Sequence, residues 1–209
     1  VDWALVTGFG AFPGVEANPT QRLAEQLDGL RLESLRVSAH VLDVSFARAP
    51  LQLLALVEDG WPRFLVHLGV ATTAEHIRIE TRAVNLAAPE VQDVDNQQPE
   101  NTPVRGDFPL GQHLPTHVPA QELVDHLNAA GLPTRLSDDA GRYVCNALYF
   151  HSLAHLQQAG VQAPCLFVHL PPVGSDPTPE LEADTAWTEE RFLAAGRQIL
   201  QWLLSPKSP

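Results

Sequence analysis

The chain has 209 residues, 44% of them apolar, and carries 13 Lys+Arg against 25 Asp+Glu for a formal net charge of −12. That length can bury a sizeable core within a single domain. The acidic balance excludes nucleic acid and anionic membrane as main partners, since both bind through basic patches. No apolar run approaches the ~20 residues that span a bilayer. Two cysteines, Cys145 and Cys165, are too few for a disulfide framework. Residues 1–6 hold no basic stretch ahead of an apolar one, so no signal peptide is expected, and a reducing, cytoplasmic setting fits.

Residues 3–9 form a short apolar run that stops at Gly8-Phe9-Gly10 and reads as a first strand. Asn18-Pro19-Thr20 predicts a helix start, with Asn as N-cap and Pro at the first helical position. Residues 34–44 read as a strand, and residues 46–57 as a helix through Ala49, Leu53, Leu54 and Val57. Residues 64–69 are continuously apolar, as in a strand covered on both faces. Residues 77–86 alternate and predict one further strand. From 87 to about 119 periodicity vanishes and prolines punctuate a polar segment, which predicts a long loop able to act as a lid. Pro119 opens a helix that ends at Gly131, and a second helix begins near Cys145. A strand over 166–170, a proline-rich loop over 171–179 and a helix over 188–204 complete the chain. Thr188 reads as the cap of that last helix, with Glu189 and Glu190 in its positive first turn. Alternating strands and helices predict one α/β domain over residues 1–209, with helices on both faces of a mostly parallel twisted sheet.

In open α/β sheets, sites gather where strand C-terminal ends meet helix N-termini. The glycine turns at 8–14, 69–72 and 141–145, and the strand end at His169, all fall at such points. Cys145 follows Gly141 and precedes a helical run. Unpaired backbone N–H groups and the helix dipole there favour a thiolate, the nucleophilic form. Cys165 lies within a strand and reads as a core residue. His169 is the candidate base, able to move a proton between Cys145 and a leaving amine. Glu80, on an alternating strand, is the candidate third member that holds His169 in one tautomer. No metal is expected. His151 and His155 lie one helical turn apart but lack the glutamate of the HExxH pattern, and His113 and His117 have Pro115 between them. No cofactor is expected either, because Gly8-x-Gly10 is followed by Pro13 where a dinucleotide fingerprint needs glycine.

These segments resemble the pyroglutamyl peptidase I, or pyrrolidone-carboxylate peptidase, family of cysteine peptidases over nearly the whole chain. Gly8-Phe9-Gly10-Ala11-Phe12-Pro13-Gly14 with Asn18-Pro19-Thr20 is similar to the family's GFxPFGG and NPS segments. Residues 69–85 resemble its glutamate signature, and Ser137 to Asn146 its cysteine signature, SNTAGTYVCN. Phe167-Val168-His169-Leu170-Pro171 resembles FIHIP. The resemblance implies a phosphorylase/hydrolase-like α/β/α sandwich. It also implies removal of N-terminal pyroglutamate from peptides through Cys145, His169 and Glu80, and a homo-oligomeric, commonly tetrameric, assembly. Phe9 and Phe12 are implied as an aromatic pocket for the lactam ring, with Tyr143, Val144 and Val70 beside it. Three positions depart from the family: Glu90 stands where it carries arginine, Thr81 where it carries a basic residue, and Val70-Ala71-Thr72-Thr73 replaces a QAGG turn. Arg82 and Arg105 are candidates to replace the missing guanidinium. The departures leave two other readings open: an amidase for another small N-acyl or lactam compound, and a catalytically weakened binding relative.

Overall fold

A computed structural model describes residues 2–177 and 185–205. Its centre is a seven-stranded sheet in the order β2-β3-β1-β4-β9-β5-β8. The strands are β1 (Trp3–Phe9), β2 (Arg31–Leu32), β3 (Leu35–Leu42), β4 (Leu65–Val70), β5 (Ile77–Glu80), β8 (Thr134–Ser137) and β9 (Cys165–Leu170). Strands β3, β1, β4 and β9 run parallel. Strand β5 runs antiparallel to β9 and parallel to β8. A separate two-stranded ribbon joins β6 (Arg82–Val84) to β7 (His113–Pro115).

Alternation along the strands sorts the core into two layers. Ala4, Val6, Val66, Leu68, Ile77, Ile79, Leu166 and Val168 pack beneath helices α1 (Pro19–Leu27), α3 (Ala120–Ala129) and α5 (Glu189–Leu204). Leu5, Phe9, Leu65, Cys165 and Phe167 pack beneath α2 (Arg48–Leu56) and α4 (Val144–Ala159). The result is an α/β/α sandwich with a mostly parallel sheet. On the α4 side, buried His67 bridges Thr7 Oγ1 at 2.7 Å and Ser152 Oγ at 2.9 Å. Burial lowers its pKa to about 3, so this ring is neutral and ties β1, β4 and α4 together.

Local chemistry explains the boundaries. Asn18 Oδ1 accepts from Thr20 N at 3.1 Å with Pro19 at the first helical position, and Thr188 Oγ1 accepts from Arg191 N at 3.2 Å. The stretch over 77–86, read as one strand, is two. At Thr81 the backbone N–H bonds to Ser137 O while the carbonyl accepts from Thr116 N, and the chain leaves the main sheet for the ribbon. The segment over 87–119 is not without structure. It contains β7, and Asn85 pins it by donating to Arg105 O, Phe108 O and Pro109 O while accepting from Arg105 N. Strands β2, β7 and β8 are two to four residues long, too short to show a period. Residues 178–179, at the end of the proline-rich loop read over 171–179, lie outside the described residues. Among the described residues no helix is long and apolar enough to cross a membrane.

Candidate active site

Register decides which side chains meet. Residues paired across neighbouring strands point to the same face, and that face switches at each step along a strand. Ile77 and Ile79 enter the α1/α3/α5 layer, which turns Arg78 and Glu80 toward α4. Across the β5–β9 ladder, Arg78 pairs with His169 and Glu80 with Phe167. His169 and Glu80 therefore stand on adjacent strands of one face. His169 Nδ1 donates to Glu80 Oε1 at 2.7 Å. Glu80 is fully buried, and its Oε2 has no hydrogen-bond partner. A buried carboxylate is costly unless a cation faces it, so this site favours imidazolium over imidazole. Burial alone would lower the His169 pKa, but hydrogen bonds to Cys145 and Glu80, with their charges, outweigh it and raise it to about 9. With Nδ1 taken by Glu80, Nε2 is the nitrogen left for the sulfur.

The thiol arrives from α4. Gly141 takes a left-handed φ of 83° and its N–H bonds to Asp139 Oδ1 at 3.1 Å, which turns the chain into the helix. Tyr143 is the N-cap and makes no side-chain cap bond, so the first-turn amides, Cys145 among them, have no intrahelical acceptor. Asn146 locks this helix start to β6, accepting from Val84 N and donating to Val84 O, both at 2.9 Å. Tyr149 OH donates to Glu80 O at 3.0 Å and ties the same helix to β5. The strand of the acid and the helix of the thiol are thus braced against each other directly.

Gly69, on β4, makes the close approach possible. A Cβ built there would lie 2.9 Å from Cys145 Sγ, 2.9 Å from Phe167 Cε1 and 3.0 Å from His169 Cδ2. One methyl group would contact both the sulfur and the imidazole. Gly69→Ala is expected to lower kcat/KM about 10²-fold, because misplacement near 1 Å carries that cost. Steady-state kinetics beside a circular dichroism melt checks it: a folded variant with wild-type kcat/KM would contradict the packing argument.

Cys145 and His169 open into a cleft of about 780 Å³. Its walls include Phe12 from the loop after β1, residues 70–73 after β4, Arg78 of β5, residues 88–91, and residues 139–143. The Tyr143 ring lies 6.0 Å from Phe12 and 5.6 Å edge-on to Phe46. Tyr143 OH donates to Gln92 O at 2.9 Å, and burial raises its pKa to about 12, which keeps the phenol protonated. Of the residues anticipated for the pocket, Phe12, Tyr143 and Val70 line the cleft. Phe9 and Val144 do not. Phe9 is 2% exposed and Val144 fully buried, both within the α2/α4 core.

The family model for pyroglutamyl peptidase matches residues 3–186. Pyrrolidone-carboxylate peptidase of Pyrococcus furiosus is 32% identical over 167 residues, 80% of this chain and 79% of that protein. The chain belongs to the pyroglutamyl peptidase family. Its Klebsiella pneumoniae relative, also a pyrrolidone-carboxylate peptidase, is 34% identical over 168 residues, covering 80% of this chain and 77% of that protein. The solved pyrrolidone carboxyl peptidase of Thermococcus litoralis superposes with a TM-score of 0.87 at 27% identity, covering 98% of this chain and 94% of that one. Membership makes the protein a cysteine peptidase, a hydrolase.

Within this pyroglutamyl peptidase the departures acquire positions. Glu90 lines the cleft and is exposed. Thr81 closes a local bond, Oγ1 donating to Ser137 O at 3.0 Å. Arg82 is engaged by Asp138, and Arg105 by Asp107 and Gln158. Neither lines the cleft. The guanidiniums that do are Arg78 and Arg142, and Arg142 is paired with Asp139 at 2.5 Å. Sequence reasoning passed over Arg78, although its place two residues before Glu80 in an alternating strand puts both on one face.

Proposed function

We propose that the protein is a pyroglutamyl peptidase I, acting on peptides with an N-terminal pyroglutamate. The Cys145 thiolate attacks the carbonyl carbon that joins pyroglutamate to the next residue, forming the S–C bond. The amides at the start of α4 receive the developing oxyanion. His169 gives its proton to the leaving amine as the C–N bond breaks, then takes a proton from water, whose oxygen attacks the thioester and releases pyroglutamate and thiolate. Glu80 stabilises the imidazolium, and when the ring is neutral it holds the proton on Nδ1 so that Nε2 is free to act. The lactam ring is small, flat and uncharged, and Phe12, Tyr143 and Val70 offer the apolar wall it prefers. The observation that supports this most is one imidazole hydrogen-bonded to a buried carboxylate, with the thiol of a helix N-terminus crowded against the same glycine as the ring.

A second reading, an amidase for another small N-acyl or lactam compound, draws on Glu90, whose carboxylate stands in the cleft wall where the family has a cation. One assay separates the two. The protein is expected to hydrolyse a pyroglutamyl aminocoumarin amide and to leave the corresponding prolyl, acetyl-glycyl and benzoyl amides uncut. Hydrolysis of the others at equal rate would favour the amidase, and no hydrolysis of any would favour a binding relative.

Three coarser features complete the proposal. The protein is cytoplasmic, forms a single domain, and assembles as a homo-oligomer, a tetramer. Light scattering at micromolar concentration tests the last. The segment over 87–119 serves as a lid, and its residues 88–91 in the cleft wall support that role.

A further inference from the structure

The sheet carries a second charged row beside His169. Arg78 pairs with His169 on β9 and with Arg135 on β8, so the three side chains project from one face across three neighbouring strands. Adjacent strands lie about 4.8 Å apart, which puts the two arginines one and two strands from the imidazole. Among the described residues neither guanidinium makes a hydrogen bond or an ion pair. Like charges side by side on neighbouring strands repel, and among the described residues no carboxylate forms an ion pair with either arginine. Among the described residues, the acids lining the adjoining groove are Glu75, which is exposed, and Asp138, already paired with Arg82 at 2.9 Å. That groove, about 700 Å³, shares Thr73 and Arg78 with the catalytic cleft, so the two adjoin.

Strand order gives the cleft a direction. Phe12 comes from the loop after β1, on one side of β9, whereas β5 and β8 lie on the other. The aromatic end and the cationic end are thus separated by His169, the group that protonates the leaving amine. We infer that the β5–β8 groove is the site for the leaving peptide and selects a carboxylate on it, Arg78 meeting the residue directly after the scissile bond and Arg135 the one or two residues beyond. An extended chain advances about 3.4 Å per residue, so one strand spacing matches the first residue and two match the second or third. This rests on the proposed peptidase activity. The carboxylate is either the C-terminal one of a short peptide or an acidic side chain at the second position.

Four substrates separate these sources: pyroglutamyl-alanine and its C-terminal amide, and the amides of pyroglutamyl-glutamate and pyroglutamyl-glutamine. Wild-type kcat/KM is expected to be about tenfold higher for the charged member of at least one pair, as for one charge-assisted hydrogen bond. Preference within the first pair identifies the C-terminal carboxylate, and within the second the side chain. The preference is expected to shrink as salt rises. Arg78→Gln is expected to reduce it below about threefold, and Arg78→Lys to restore part of it, because ammonium keeps the charge without the fork. Equal rates within both pairs, or a preference that survives Arg78→Gln and Arg135→Gln together, overturns the groove assignment while the peptidase reading stands. Hydrolysis of none of the four by wild type overturns both.

Discussion

Cys145→Ala is expected to lower kcat for a pyroglutamyl amide by about 10⁴-fold or more, since loss of the nucleophile leaves only the oxyanion donors and binding. The loss should be chemical, not structural. Residue 145 is partly buried at the cleft, and α4 is held by Asn146 and Tyr149 whatever stands there. The melting midpoint should therefore move by only a few degrees, and 2-pyrrolidone should still bind near Phe12. Iodoacetamide gives an independent readout. Wild type should be alkylated at Cys145 near neutral pH, while Cys165 stays unlabelled because it is 2% exposed and burial pushes its thiol well above the usual range. Peptide mapping after labelling, with and without 2-pyrrolidone, checks both points. Full activity in Cys145→Ala, or labelling at Cys165 alone, would remove the thiol from the chemistry.

The fold and the reacting groups were legible to different depths for physical reasons. The central strands announce themselves because burial on both faces demands nearly continuous apolar runs, as in residues 64–69 and 165–170, interrupted only by His67 and His169. Helix starts at Pro19 and Glu189 carry capping side chains that act locally. Strand β8 carries no such mark. Its pattern of Thr134, Arg135, Leu136 and Ser137 makes sense only once β5 lies beside it. The nucleophile, the base and the acid stood in recognisable local settings, a glycine turn, a strand end and an alternating strand. Their meeting depends on the β5–β9 pairing, which is antiparallel in a mostly parallel sheet and leaves no trace in local sequence. Phe9 shows the converse limit. Its motif suggests a pocket wall, yet the alternation of β1 sends the ring into the core with Leu5. Gly69 is a third case, where the turn was visible but the need for a missing Cβ appears only with the sulfur and imidazole in position.

Glu80→Gln is expected to lower kcat/KM about 10²–10⁴-fold, the range for a triad whose orienting acid becomes an amide. The side chain keeps its shape but loses its charge, and its amide can present N–H to Nδ1, which favours the wrong tautomer. The pH dependence separates this from a packing defect. In wild type, His169 holds its proton up to about pH 9, so kcat/KM should fall on an alkaline limb near that value. Because thiol and imidazole interact strongly, the limb belongs to the pair. Two of the influences that raise the value, the hydrogen bond that His169 donates to Glu80 and the charge of that carboxylate, disappear in Glu80→Gln, while burial still lowers it. The limb should therefore move to lower pH. Stability has the same sign. A histidine whose folded pKa exceeds its unfolded value stabilises fully below about pH 6.5 and loses that contribution as pH rises through about 9. The stability gap between wild type and Glu80→Gln should thus be largest near pH 6 and narrow toward pH 10 in urea titrations. An unmoved limb with activity within a few-fold of wild type would mean that Glu80 is a buried packing residue and that His169 finds its tautomer by other means.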